Sequence, residues 1–142
     1  MLAKEFWLRA FAFCELSIPL ALIAFTIAIP TLFRSVKPAN EATAVANLRE
    51  VIEAEADYLA STGHYGTAMQ LVESGLLDSR FLGSTSGYDF SIVVDSGSYG
   101  ATATPVSDNT GRYEYYSTPE GFARFSLNTS KAPPGQAGNP VY

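Results

Sequence analysis

Residues 16–33 read LSIPLALIAFTIAIPTLF, a run of 18 residues without a charged side chain. As a helix with 1.5 Å of rise per residue, this run spans about 27 Å, just enough to cross the hydrocarbon core of a bilayer. Pro19 and Pro30 interrupt the run, and each removes a backbone N–H and crowds the preceding turn. The sequence therefore predicts an apolar, membrane-compatible helix with breaks or kinks at these two prolines.

Glu15 stands immediately before the apolar run. A carboxylate at the edge of a membrane helix is costly unless it is paired or reaches the polar headgroups. Two interpretations follow: Glu15 extends into the headgroup region, or it pairs with a cation from another chain. Lys4 and Arg9 precede the run and two further cations follow it, so the charge asymmetry does not fix an orientation in a membrane.

The composition favours one domain and excludes several kinds of site. The chain has 142 residues, of which 47% are hydrophobic and 16% charged, and its net charge is −5. We expect no specific nucleic-acid partner, because phosphate binding needs clustered lysines and arginines. The single cysteine, Cys14, excludes an intrachain disulfide. His64, the one histidine, is predicted to be an exposed loop residue, and we expect no enzymatic activity, no metal and no cofactor.

Residues 40–62 have the periodicity of an amphipathic helix that ends at Gly63. The apolar positions predicted to form its buried stripe are Val45, Leu48, Ile52, Ala56 and Leu59.

An acidic run lies within this predicted helix, comprising Glu50, Glu53, Glu55 and Asp57. The sequence predicts that these carboxylates lie on a solvated helix face, with Arg49 able to pair with Glu53 one turn away. A divalent-cation site is the alternative interpretation.

Beyond Gly63, Thr67 and Gln70 form a T-x-x-Q capping box that predicts a short helix, and Asp78 is predicted to cap one further turn. The period then changes to two, which predicts four antiparallel strands over 88–95, 99–105, 112–116 and 122–127. Ser96-Gly97 is typical of a two-residue hairpin loop. The proline- and glycine-rich end, 128–142, predicts an irregular tail. The fold class expected is α+β, with a long N-terminal helix packed on a four-stranded antiparallel sheet.

The block TIAIPTLFRSVKPANEATAVANLREVIEAEADYLASTGHYG resembles the core of type IV pilins and type II secretion pseudopilins. The segments SGYDFSIVV, YGATATPVS and TGRYEYYSTPEGFARFS continue the resemblance through the predicted sheet. It covers residues 11–127 and is nearest to single-sheet, disulfide-free pilin-like proteins.

The resemblance implies a processed N-terminus. Residues 1–10 correspond to a leader that a prepilin peptidase removes between Ala10 and Phe11, after which Phe11 is N-methylated. Glu15 then occupies the fifth mature position. The implied organisation is a leader at 1–10, a transmembrane and filament-core helix at 11–37, a globular pilin head at 38–127 and a Pro/Gly-rich tail at 128–142.

The function implied is that of a structural subunit that polymerises into a type IV pilus-like filament through its N-terminal helix. The expected partners are copies of itself, the bacterial inner membrane before assembly, the prepilin peptidase and the pilus assembly platform. The expected location is the inner membrane and then the extracellular filament. A type II secretion pseudopilin and a non-polymerising, membrane-anchored periplasmic accessory protein are the alternatives.

Overall fold

A helix, α1, occupies residues 36–62 of the computed structural model, which describes residues 36–142. Ala44, Leu48 and Val51 are fully buried at spacings of four and three residues, so one stripe of α1 faces the interior. Gly63 ends the helix with a φ of +83°, a left-handed conformation that glycine adopts without steric cost. Its N–H donates to the Leu59 carbonyl at 2.8 Å, which closes the last turn.

The buried stripe of α1 is rotated relative to the predicted one. Val45 and Leu48 are buried as predicted, but Ala56 is exposed. The stripe instead continues from Val51 to Glu55, whose side chain is fully buried. The prediction that Glu55 lies on the solvated face with the other acidic residues is therefore wrong.

Two short helical segments follow α1. Helix α2 spans Ala68–Glu73, and Thr67 and Gln70 cap it reciprocally, as the capping box predicts. A 3-10 helix spans Ser79–Leu82. It begins after Asp78, whose carboxylate accepts a hydrogen bond from the Arg80 N–H at 2.9 Å.

The sheet is antiparallel and has five strands, which follow one another in space in the order of the sequence. The strands are β1 (Ser84–Thr85), β2 (Tyr88–Asp95), β3 (Ser98–Pro105), β4 (Tyr115–Ser117) and β5 (Ala123–Phe125). The sheet thus contains one strand more than the four predicted. Its last two strands are shorter than the predicted ranges 112–116 and 122–127, and β4 ends one residue later.

Strand β1 exists because a tight turn folds it back on β2. Ser86 and Gly87 have φ angles of +51° and +78°, as a type I′ hairpin turn requires, and Thr85 pairs with Tyr88 across it. A strand of two residues carries no alternation for sequence analysis to detect. The second hairpin is confirmed, since Asp95 pairs with Ser98 across Ser96-Gly97.

The core lies between α1 and one face of the sheet. Tyr88 and Tyr115 contact each other with ring centroids 6.0 Å apart, and Phe125 lies 5.5 Å from Tyr115. Small residues on β3 leave room for the helix. The buried sheet residues in this core are Tyr88, Tyr99, Ala101, Ala103, Tyr115 and Ala123. The molecule is therefore an α+β protein with one long helix packed on an antiparallel sheet.

Residues 128–142, which we call the C-terminal segment, are irregular but bonded to the sheet. The Lys131 carbonyl accepts from the Glu114 N–H at 2.9 Å, and the Asn139 carbonyl accepts from the Phe125 N–H at 3.0 Å. The Val141 N–H donates to the Ala123 carbonyl at 2.8 Å. The segment thus covers the edge of β5 in place of another strand.

Candidate functional site

The residues predicted to direct processing and assembly lie outside the described range of 36–142. They are Ala10, Phe11, Glu15, Pro19 and Pro30. Among the residues that the structure describes, no helix combines the length and apolar character needed to cross a membrane.

Glu41 forms the best-satisfied ion pair on α1. The Glu41 side chain is only 8% exposed and accepts three hydrogen bonds from Arg112: from its backbone N–H at 2.8 Å, Nε at 2.9 Å and Nη2 at 2.7 Å. The Glu41 carboxylate raises the pKa of Arg112 through this bonding. Asn40 Nδ2 also donates to the Thr110 carbonyl at 2.9 Å. These contacts fasten α1 to the loop between β3 and β4.

Glu55 has a very different environment. Oε2 accepts a hydrogen bond from the Gly66 N–H at 2.9 Å, whereas Oε1 is buried and has no hydrogen-bond partner within residues 36–142. Burial raises the pKa of Glu55, and the Gly66 amide offsets only part of that effect. This carboxyl therefore favours its neutral form more than an exposed glutamate does.

Tyr99 and Ser117 complete a buried polar cluster with Glu55 and the Gly66 amide. The Ser117 Oγ atom is buried and, within the described range, has no hydrogen-bond partner. The pKa of Tyr99 is raised to about 12, chiefly by burial and then by the negative charge of Glu55. The cluster thus draws on α1, β3, β4 and the turn at 63–66.

A surface groove of about 300 Å³ separates α1 from the C-terminal segment. Arg49 lies in its wall and donates from Nη2 to the Val141 carbonyl at 3.2 Å. The predicted pairing of Arg49 with Glu53 is absent from the ion pairs of residues 36–142. Phe122 adds an exposed apolar surface to the same groove.

The side chains of residues 36–142 make clearer structural contacts than catalytic or metal-binding ones. Within residues 36–142, no three His, Cys, Asp or Glu side chains come together as metal ligands. His64 is exposed, as predicted, and its ring lies 5.5 Å from that of Tyr58. The expected lack of enzymatic activity stays a prediction.

Sequence analysis missed the buried roles of Glu41, Glu55 and Ser117. A signal existed for the two glutamates, because a helical stripe through Ala44, Leu48 and Val51 also passes through positions 41 and 55. The predicted apolar stripe is about one residue out of phase with the buried one, and both acids lie outside it. Ser117 carries no such signal, since the sequence predicts a turn there.

No protein-family model matches the chain, and no curated protein does. The resemblance to pilins and pseudopilins therefore depends on the residues quoted for it in the sequence analysis.

Proposed function

We propose that this chain is a structural subunit of a type IV pilus-like filament and that it polymerises through its N-terminal apolar helix. The observation that carries the proposal is the uncharged run 16–33, which directly precedes in sequence a head built from a helix on an antiparallel sheet. The run is too apolar to remain in water, and the head supplies the polar surface that a filament needs on its outside.

The apolar run has two environments in which it can be buried. Before assembly, lipid covers it. In a filament, copies of the same helix cover it, and the heads surround the resulting bundle. A head-to-tail contact whose rotation does not close generates an open helical array of subunits.

The exposed side of α1 supports helix packing between copies. Its small residues would let a neighbouring element approach the backbone closely. The exposed alanines on this side are Ala39, Ala42, Ala46, Ala56 and Ala60.

Processing at the predicted bond would give the subunit its mature end. Cleavage between Ala10 and Phe11 removes Lys4, Glu5 and Arg9 from the chain and creates an α-amino cation four residues before Glu15. That cation is the natural partner for a carboxylate inside an apolar bundle, because either charge alone would be costly there.

The test is electron microscopy of material sheared from the cell surface, together with the intact mass and the N-terminal peptide of the protein in it. We expect filaments whose subunit begins at Phe11 and carries one added methyl group. Filaments whose subunit retains Met1 would contradict the cleavage site. A protein that stays in the membrane without forming filaments would contradict polymerisation and favour the anchored accessory protein.

A further inference from the structure

Glu55 is a buried acid that has no cationic partner in the part of the chain that the structure describes. Its side chain is fully enclosed, and it belongs to none of the ion pairs formed within residues 36–142. The one hydrogen bond that it accepts from residues 36–142 comes from the uncharged Gly66 amide. An ionised carboxylate in such a place loses its hydration, and a single hydrogen bond offsets little of that free-energy cost.

The groups around Glu55 come from several elements. Tyr99 approaches from β3, and Tyr65 in the following turn lies with its ring 5.0 Å from that of Tyr99. Ser117 lies on β4. Tyr58, one turn further along α1, contacts Gly66 so closely that an added Cβ there would lie 3.0 Å from its ring. His64, in the same turn, is exposed, and its ring lies 5.5 Å from that of Tyr58.

Glu41 is a buried acid on the same helix that has a cationic partner. It lies on the same buried stripe as Glu55, and Arg112 gives it two side-chain hydrogen bonds and one backbone hydrogen bond. Glu55 receives one backbone hydrogen bond and leaves Oε1 without a partner in the described part of the chain. A proton on Oε1 removes the buried charge, while Oε2 still accepts the hydrogen bond from Gly66.

We propose that Glu55 is a proton-operated latch, which in its neutral form fastens the turn at residues 63–66 to α1 and on ionisation releases it. Opening of the turn frees the Gly66 amide and lets water reach the carboxylate. The latch therefore makes the order of the turn at residues 63–66, at the end of α1, depend on the pH of the surroundings.

The direction of the pH effect follows from proton binding. The pKa of Glu55 in the closed turn is raised above the ordinary value of 4.5, so the closed turn binds more protons than the open one. The closed turn is accordingly most stable below pH 4.5, loses stability as the pH rises towards the raised pKa, and changes no further above it.

The test is amide hydrogen exchange at Gly66, measured by NMR on the full chain in a neutral detergent between pH 4 and pH 8. All proteins carry His64→Gln, so that the turn at 63–66 contains no imidazole. We expect the protection factor of the Gly66 amide to fall by up to about tenfold per pH unit above pH 4.5 and then to level off. In Glu55→Gln, which preserves the acceptor for Gly66, we expect the protection factor to be independent of pH. Glu53→Gln, an exposed acid two residues away, should behave like the His64→Gln parent.

Two results would overturn the latch. One is a protection factor that does not change with pH in the parent, and the other is the same decrease in Glu55→Gln as in the parent. If Glu55→Gln does not fold, the ¹³C shift of the Glu55 carboxyl in the parent decides the matter. A titration midpoint above 4.5 supports the latch, and a midpoint at or below 4.5 contradicts it.

Discussion

At the scale of single residues, α1 contains two buried glutamates in different electrostatic environments. Glu41 pairs with a cation, and Glu55 accepts a hydrogen bond from an uncharged amide. Glu41 is held by a forked set of donors from Arg112, whereas Glu55 is enclosed with one backbone donor among residues 36–142. A buried charge is tolerated when its hydrogen-bonding capacity is filled, and it shifts its pKa when that capacity is not filled. Glu41 therefore makes a fixed contact at one end of this helix stripe, whereas Glu55 makes a pH-dependent contact at the other end.

We expect Arg112→Ala to lower the free energy of unfolding by about 1–3 kcal/mol at neutral pH, because it leaves buried Glu41 with the backbone N–H alone. Arg80→Ala is the matched control. The ion pair that Arg80 makes with Glu50 lies on the surface, and its loss should cost less than about 1 kcal/mol. Urea unfolding of both variants measures the difference, and equal losses would show that the Glu41 contact is no stronger than a surface pair.

The burial of Glu55 shows that hydrophobic periodicity alone does not predict which stripe of α1 is buried. A stripe through Val45, Leu48 and Ile52 is the more apolar choice, so a pattern search prefers it to the phase that contains two acids. Packing decides otherwise, because Ala44 and Glu55 are both fully buried in the folded molecule. The donor to Glu55, the Gly66 amide, lies 11 residues away in sequence, and no local pattern encodes it.

At the scale of elements, the structure confirms the predictions that depend only on residues close together in the sequence. The capping box at Thr67 and Gln70, the end of α1 at Gly63 and the hairpin at Ser96-Gly97 follow from the residues themselves. The C-terminal segment does not, because its proline and glycine content predicts irregular backbone but says nothing about where that backbone docks. Its hydrogen bonds to β5 depend on tertiary contacts.

Deletion of residues 131–142 should lower the free energy of unfolding by about 2–4 kcal/mol. It removes the acceptor at Lys131, the acceptor at Asn139 and the donor at Val141, and each backbone hydrogen bond contributes about 1 kcal/mol. Tyr142→Ala, which changes a fully exposed side chain, should leave the stability within about 0.5 kcal/mol of the parent. Thermal or urea unfolding tests both, and unchanged stability after the deletion would show that the segment is a dispensable cover.

At the scale of the whole molecule, the proposed filament gives separate roles to the apolar run 16–33 and to the head that follows it. The head has its own core and its own satisfied ion pairs, so its folding does not depend on Glu15. In the proposed filament, the apolar run is buried by lipid before assembly and by other copies afterwards. A substitution at Glu15 should therefore separate assembly from folding.

We expect Glu15→Ala to enter the membrane and fold its head but to assemble few filaments, because it leaves the α-amino group of an incoming subunit without its carboxylate. Glu15→Gln, which retains the volume and some hydrogen bonding, should assemble better than Glu15→Ala. The measurement is the yield of surface filaments at equal membrane levels of protein. A normal yield from Glu15→Ala would remove the assembly role and leave Glu15 as a residue that reaches the headgroups.

The strand order also has a kinetic consequence. Each strand of the sheet pairs with the strand before it in sequence, and two of the connections are turns of two residues. Closing such short loops costs little chain entropy, and proteins dominated by local pairings fold quickly. The sheet can therefore form hairpin by hairpin from β1 to β5, with the C-terminal segment docking last. A head that folds this way spends little time with unpaired strands exposed, which limits aggregation among newly made chains crowded at one place.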